Sequence, residues 1–195
     1  MKSIRLTTLK SITKPTFQTN GAILMNDKKI ILLTGTPGTG KTTAANQLKD
    51  SYKVINLTQF IKENNLGTNE GEIEVEINKL REEIAQEIQS IDEENIVIEG
   101  HLAHYLEGDY CIVLRLKPEL LEERLQSREY SEKKVGENVE AEKMDLILSE
   151  AVSRNNKVRE VDTTGKSVGE VVREIRNGIE NRESSVGVVD WTGSL

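Results

Sequence analysis

The sequence predicts an α/β fold: a doubly wound sheet of five parallel strands with helices on both faces. Three observations predict it. Short apolar runs alternate with longer segments of helical spacing, the pattern of consecutive βαβ units. Four of the runs end near a glycine or a charged tip, at Gly35, Glu99, Arg115 and Asp162. A ligand on such a sheet lies at the carboxyl ends of the strands, so these tips should converge. Finally, the first run, residues 30–33, leads without a gap into Gly35-Thr36-Pro37-Gly38-Thr39-Gly40-Lys41-Thr42.

That stretch matches G-x-x-x-x-G-K-[ST], a phosphate-binding P-loop. Glycines, Gly38 and Gly40 among them, let the backbone turn tightly and aim successive N–H groups at phosphate oxygens. A helix starting near Gly40 adds the positive end of its dipole. Lys41 can reach the β- and γ-phosphates, and the Thr42 hydroxyl can ligate magnesium. Thr43 is placed for the α-phosphate. The alternative, a glycine-rich turn that happens to hold a lysine, lacks the strand before and the helix after, here residues 43–50.

The other elements follow in order. Residues 52–57 form a second short strand, and residues 58–64 a short helix closed by Asn65-Leu66-Gly67. Residues 70–76 alternate acidic and apolar side chains, which suits a strand. Ile77, Leu80, Ile84, Ile88 and Ile91 then take helical spacing, so a helix spans 76–90. Residues 95–99 read as a buried parallel strand with a carboxylate tip. Residues 111–116 form the next strand, and Pro118 opens a helix that runs to about Arg128. One long helix is expected over 131–155. Residues 158–162 form the last strand, and Ser167 N-caps a helix ending near Asn181.

Composition sets the outer limits. The 195 residues suffice for one α/β domain, and a 4% aromatic content makes its core aliphatic. The net charge of −7 argues against a sequence-independent nucleic-acid binder but leaves room for a local basic cleft. The single cysteine, Cys111, sits in an apolar strand and can form no disulfide within the chain, which fits a reducing, cytoplasmic setting. No apolar run nears the roughly 18 residues of a membrane span. Residues 1–26 carry Lys2, Arg5, Lys10 and Lys14 and no acid. They are expected to be a disordered basic leader, with a transit segment as the alternative. The domain then covers 27–182, and 183–195 form a tail.

A P-loop specifies a nucleotide, not a reaction. Arg124 and Arg128 stand four apart on one helical face, with Arg115 at the preceding strand's end. The three arginines suit a transferring phosphoryl group, because the guanidinium fork bonds phosphate oxygens in pairs. The alternative is surface pairing with Glu122 and Glu123. His101, two residues beyond Glu99, would share that carboxylate's side if the strand continued. His104 is expected to be exposed.

A set of motifs carries a family resemblance. It comprises the stretch 34–43, Ile55-Asn56, Val97-Ile98-Glu99-Gly100-His101, Val113-Leu114-Arg115, Glu123-Arg124-Leu125, Arg128, Tyr130-Ser131-Glu132-Lys133-Lys134, Glu137-Asn138 and Glu140-Ala141-Glu142. Together, over about residues 28–182, they resemble adenylate kinase isoenzyme 6, also called the coilin-interacting nuclear ATPase family, which includes archaeal members. The resemblance implies a P-loop fold with short monophosphate-binding and lid segments, at about 56–79 and 127–137. It implies interconversion of ATP plus AMP with two ADP, slow ATP hydrolysis, and magnesium. It also implies a role in small-ribosomal-subunit maturation, with a uS11-type ribosomal protein or pre-ribosomal particle as partner and no membrane association. Arg128 would touch ATP, Thr164-Gly165-Lys166 would flank adenine, and His101 would serve hydrolysis. This chain departs from the pattern at Glu99, where Asp is frequent, at Lys62, where Arg is expected, and at Glu129, where Gly is common.

Two function classes therefore stand side by side: a phosphotransferase, and an assembly ATPase whose acidic surface suits a basic ribosomal protein. Another small-molecule kinase is a third.

Overall fold

A computed structural model describes residues 3–6, 28–69, 72–128 and 130–191. Five strands form the main sheet: β2 (Lys29–Gly35), β3 (Lys53–Asn56), β6 (Asn95–Glu99), β7 (Tyr110–Arg115) and β8 (Val158–Asp162). Their order is β3-β6-β2-β7-β8 and every pairing is parallel. The P-loop strand is therefore central, and the chain leaves it toward one edge and later returns to build the other.

Side-chain alternation explains why both faces are covered. Ile30 and Leu32 of β2 point to one side, Ile31 and Leu33 to the other, and all four are buried. The first side packs on α2 (Leu57–Glu63), α3 (Ile77–Ser90) and α6 (Leu146–Arg154) through Ile61, Leu80, Ile84, Ile88, Leu148 and Ala151. The second packs on α1 (Lys41–Asn46) and α7 (Val168–Asn181) through Ala44, Ala45, Val171 and Ile175. A third cluster joins Leu121 and Leu125 of α4 (Pro118–Gln126) to Val135 of α5 (Glu132–Lys143). Burying one such aliphatic side chain is worth about 1.5–3 kcal/mol. Cys111 is fully buried in β7, and burial pushes its thiol up to about 12.

The local signals behave as the sequence suggests. Ser167 accepts the Glu170 N–H while the Glu170 carboxylate accepts the Ser167 N–H, a complete capping box on α7. Pro118 opens α4, where its missing N–H leaves no bond unmade. Among the described residues, no helix is long and apolar enough to cross a membrane.

Three expectations are corrected. The first helix ends at Asn46, and the chain continues in turns to Asp50. The long helix over 131–155 is two helices, α5 and α6, broken at Asp145, whose φ is +53°. Aspartate tolerates this left-handed conformation. The break lets Asp145 and Glu142 reach the same guanidinium, as described below. Part of the leader also has structure. Ser3–Leu6 form β1, parallel to β5 (Glu72–Val75), which pairs antiparallel with β4 (Gly67–Asn69) in a second, small sheet. Residues 7–27 lie outside the described residues, as does Glu129. The tail returns to β8: Ser185 bridges Arg159, and the Val188 N–H donates to Glu160 Oε2 at 2.6 Å.

Candidate nucleotide site

The loop after β2 owes its path to glycine. Gly35 and Gly38 have φ of +138° and +102°, which few other residues adopt. A Cβ on Gly38 would stand 2.7 Å from Leu121 Cδ1, so α4 packs directly against the loop. The Thr36 carbonyl accepts from Thr39 N at 3.2 Å and from Thr39 Oγ1 at 2.9 Å, which closes the turn.

Lys41 lies beneath this turn. Its ammonium donates to the Gly35 carbonyl at 2.8 Å and the Thr36 carbonyl at 3.0 Å. Burial lowers its pKa to about 8, against the opposing pull of Glu99 and Glu142; nearby Arg128 adds to the lowering. Glu99, at the tip of β6, is 3% exposed. It accepts from Thr42 Oγ1 at 3.0 Å and also from Asn56 Nδ2. Burial raises its pKa, with Lys41 pulling the other way. Asn56 does two jobs, because its Oδ1 also caps α2 by accepting Gln59 N at 2.8 Å. Thr42 and Thr43 are exposed on the first turn of α1.

The Thr42–Glu99 contact tests whether magnesium fits. It sets a hydroxyl and a carboxylate oxygen side by side, the hard donors that ion prefers. Among the described residues no cluster of three His, Cys, Asp or Glu side chains could hold a metal unaided. The remaining ligands would have to come from phosphate and water, as is usual for this ion.

Arg124 Nη1 donates to the Gly38 carbonyl at 3.3 Å; α4 stops at Gln126, short of the expected Arg128, which is exposed in the turn that follows. Among the described residues, neither is paired with Glu122 or Glu123. Arg115 behaves differently from the expected phosphate ligand. It is 1% exposed and enclosed by Glu142, Asp145 and Glu160. Four of its five N–H groups are taken by these carboxylates and the Glu142 carbonyl, and its burial keeps it from a phosphate at the loop. Lys166 also turns away, toward Glu174 at 2.8 Å, so only its stem is left to line a base.

The surroundings of the two histidines differ from those the sequence suggests. β6 ends at Glu99 and the chain then turns, so strand alternation does not bring His101 beside that carboxylate. His104, expected to be exposed, is 1% exposed. It lies on the 3-10 turn Ala103–Tyr105, between Thr34 and Glu150. Sequence reasoning also gave no role to Glu142, which bonds Arg115, Leu116 N and the P-loop's Thr36 Oγ1. A faint signal exists, since Glu142 continues the inward i, i+4, i+7 stripe of Val135 and Val139.

The lowered Lys41 pKa makes a prediction. Phosphate oxygens favour the charged ammonium, so nucleotide binding should raise that pKa again. At pH 8 and above, where free Lys41 is partly neutral, binding should take up a proton. Calorimetric titrations with ATP in buffers of different ionisation enthalpy should then give different apparent enthalpies, and nearly equal ones well below pH 8. Identical enthalpies at the higher pH would show that Lys41 does not meet the ligand.

A parallel sheet with this loop after its central strand, and a Thr–Glu pair beside it, defines a P-loop nucleotide-binding protein. The AAA domain family model matches residues 31–145. The chain is 47% identical over 170 residues to a protein of Pyrococcus furiosus, covering 84% of this chain and 91% of that one. It is 45% identical over 170 residues to one of Thermococcus kodakarensis (84% and 93%), and 42% over 168 residues to one of Methanocaldococcus jannaschii (83% and 92%). All three bear the name "Putative adenylate kinase". Among solved structures, TT1252 from Thermus thermophilus shares the fold, with a TM-score of 0.54 at 16% identity over 82% of this chain and 100% of that one. The chain belongs to the AAA domain family and to the family of these archaeal relatives.

Proposed function

We propose that this protein is a nucleoside-monophosphate kinase of adenylate kinase type, converting ATP and AMP to two ADP. The observation that carries the reading is the gathering of Lys41, Arg124 and Arg128 around one P-loop. The names of the archaeal relatives support it. In the reaction, a phosphate oxygen of AMP attacks the γ-phosphorus. The bond to the β–γ bridging oxygen breaks, and ADP leaves with that electron pair. The attacking oxygen is already ionised, so positioning and charge neutralisation suffice without a general base. Thr42 and Glu99 would hold magnesium, directly or through water, and the bound ion would neutralise phosphate charge. α2 with Lys62, and the β4–β5 hairpin, would receive AMP.

The finer assignment to the isoenzyme 6 group, with slow hydrolysis served by Glu99 and His101, rests on the motifs given above. So does a role in small-subunit maturation with a basic ribosomal protein, which the −7 net charge favours. One coupled assay separates the readings: ADP formation with ATP alone, with AMP, and with a panel of other acceptors. We expect strong stimulation by AMP. Turnover that no acceptor stimulates would leave the assembly ATPase as the better reading. Arg128→Ala should lower kcat/KM for AMP-dependent transfer by roughly 10²–10³-fold, the scale of one lost electrostatic stabiliser. Its melting temperature should hold, since the side chain is exposed. A lower melting temperature with intact kcat/KM would instead mark Arg128 as a surface stabiliser.

A further inference from the structure

A buried polar chain runs behind the P-loop. Thr34, the residue before Gly35, is fully buried. Its Oγ1 lies 3.0 Å from His104 Nδ1 and 3.3 Å from the His101 carbonyl. On the other side of the ring, His104 Nε2 lies 3.1 Å from Glu150 Oε2 on α6. Glu150 is the exposed end of the chain, at 28%, and the ring stacks at a tilt on Tyr105. Burying two polar side chains here is costly unless their atoms are needed, and an aliphatic pair would fill the same space.

Proton bookkeeping gives the arrangement a direction. An ionised carboxylate only accepts, so His104 Nε2 carries a proton toward Glu150. Burial holds the ring's pKa below the usual value, with Glu150 opposing. In the neutral ring Nδ1 is then an acceptor, and the Thr34 hydroxyl donates to it. Glu150 thus selects the tautomer, and the tautomer orients the hydroxyl. Thr34 cannot act as a nucleophile, because no substrate reaches it. It does sit at the base of the loop, one residue before the carbonyl that holds Lys41 Nζ at 2.8 Å.

We propose that His104 is a positioning residue for the P-loop: held by Glu150, it fixes the Thr34 hydroxyl and, through it, the start of the loop. The proposal rests on the phosphoryl-transfer reading for its main readout.

The test uses the full chain with Thr34→Val, His104→Leu, the pair combined, and His104→Asn, whose amide oxygen can replace Nδ1 toward Thr34. Each single apolar change should lower kcat about 10- to 100-fold, the range of an outer partner that orients a working group, with KM for ATP nearly unchanged. The double variant should lose no more than either single, because both break one contact. His104→Asn should recover most of the loss. Should His104→Leu not fold, the near-isosteric Thr34→Val and the partly exposed Glu150→Ala, which removes the acceptor for Nε2, carry the same comparison. Full kcat in Thr34→Val, or losses that multiply in the double variant, would overturn the proposal. Wild-type protein that transfers to no acceptor would sink the kinase reading alone. The coupling would then be read in ATP hydrolysis, with the same two outcomes deciding it.

Discussion

Lys41→Met is expected to give a folded protein with no useful phosphoryl transfer. Among the described residues, Lys41 is the cation placed beneath the loop itself, bonded to the Gly35 and Thr36 carbonyls that line the turn. A phosphate arriving at the loop would offer it stronger acceptors than these neutral carbonyls. Removing one preorganised electrostatic stabiliser costs roughly 10²–10³ in kcat, about 2.7–4 kcal/mol, and a P-loop lysine that also grips the ground state should cost at least that. Methionine keeps the buried stem and removes only the charge. The sign for stability is the opposite of that for activity. Folding depresses the Lys41 pKa to about 8, so the native state bears a desolvation cost below that pH, which fades as pH rises toward the unfolded value of 10.5. At neutral pH the variant should therefore melt no lower than the parent. Near-normal turnover in the variant would remove the P-loop from the mechanism. A large fall in melting temperature would mean that the ammonium's two bonds matter more than its burial.

The sheet and the loop were legible because their signals are local. An uninterrupted Ile-Ile-Leu-Leu run already says that both faces are covered, and the P-loop motif follows it in the same stretch. The capping box at Ser167 and the stripe of Leu80, Ile84 and Ile88 are equally self-contained. What stayed hidden depends on partners remote in sequence. His104 meets Thr34 and Glu150 at separations of 70 and 46 residues, and a single 3-10 turn decides whether it faces solvent or core. The break at Asp145 is invisible in periodicity, since α5 and α6 each keep helical spacing; the turn exists to serve an ion cluster built on another strand. Arg115 misled most. A basic residue at a strand tip beside a P-loop reads as a phosphate ligand, and only the fold reveals the carboxylates around it.

Arg115→Ala should therefore be among the most destabilising single substitutions in the chain, while touching no reacting atom. Nε donates to Glu142 at 2.7 Å, Nη1 to Glu160 at 2.6 Å, and Nη2 to the Glu142 carbonyl at 3.0 Å and to Asp145. Glu142 and Glu160 are 2% and 3% exposed, so neither can turn to water if the guanidinium is lost. Breaking a buried pair by removing one partner costs about 3–5 kcal/mol, mostly for the charges left behind. For a domain of this size that corresponds to a melting temperature lower by roughly 6–20 °C. The damage should spread by a defined route, because Glu142 also holds Thr36 of the loop and Glu160 holds the tail at Val188. Arg115→Lys keeps the charge but loses the fork, and one ammonium cannot span the three carboxylates, so it should fall between the two. Adding Glu142→Gln and Glu160→Gln to Arg115→Ala neutralises the stranded charges and should recover part of the loss, which a simple cavity would not allow. Urea midpoints for the four proteins, read beside transfer rates at a temperature where all remain folded, decide the matter. A parent-like midpoint with transfer abolished would return Arg115 to the phosphoryl site. A midpoint shifted far down, with kcat changed much less than in Lys41→Met, would fix it as the ionic keystone joining β7, β8 and α5.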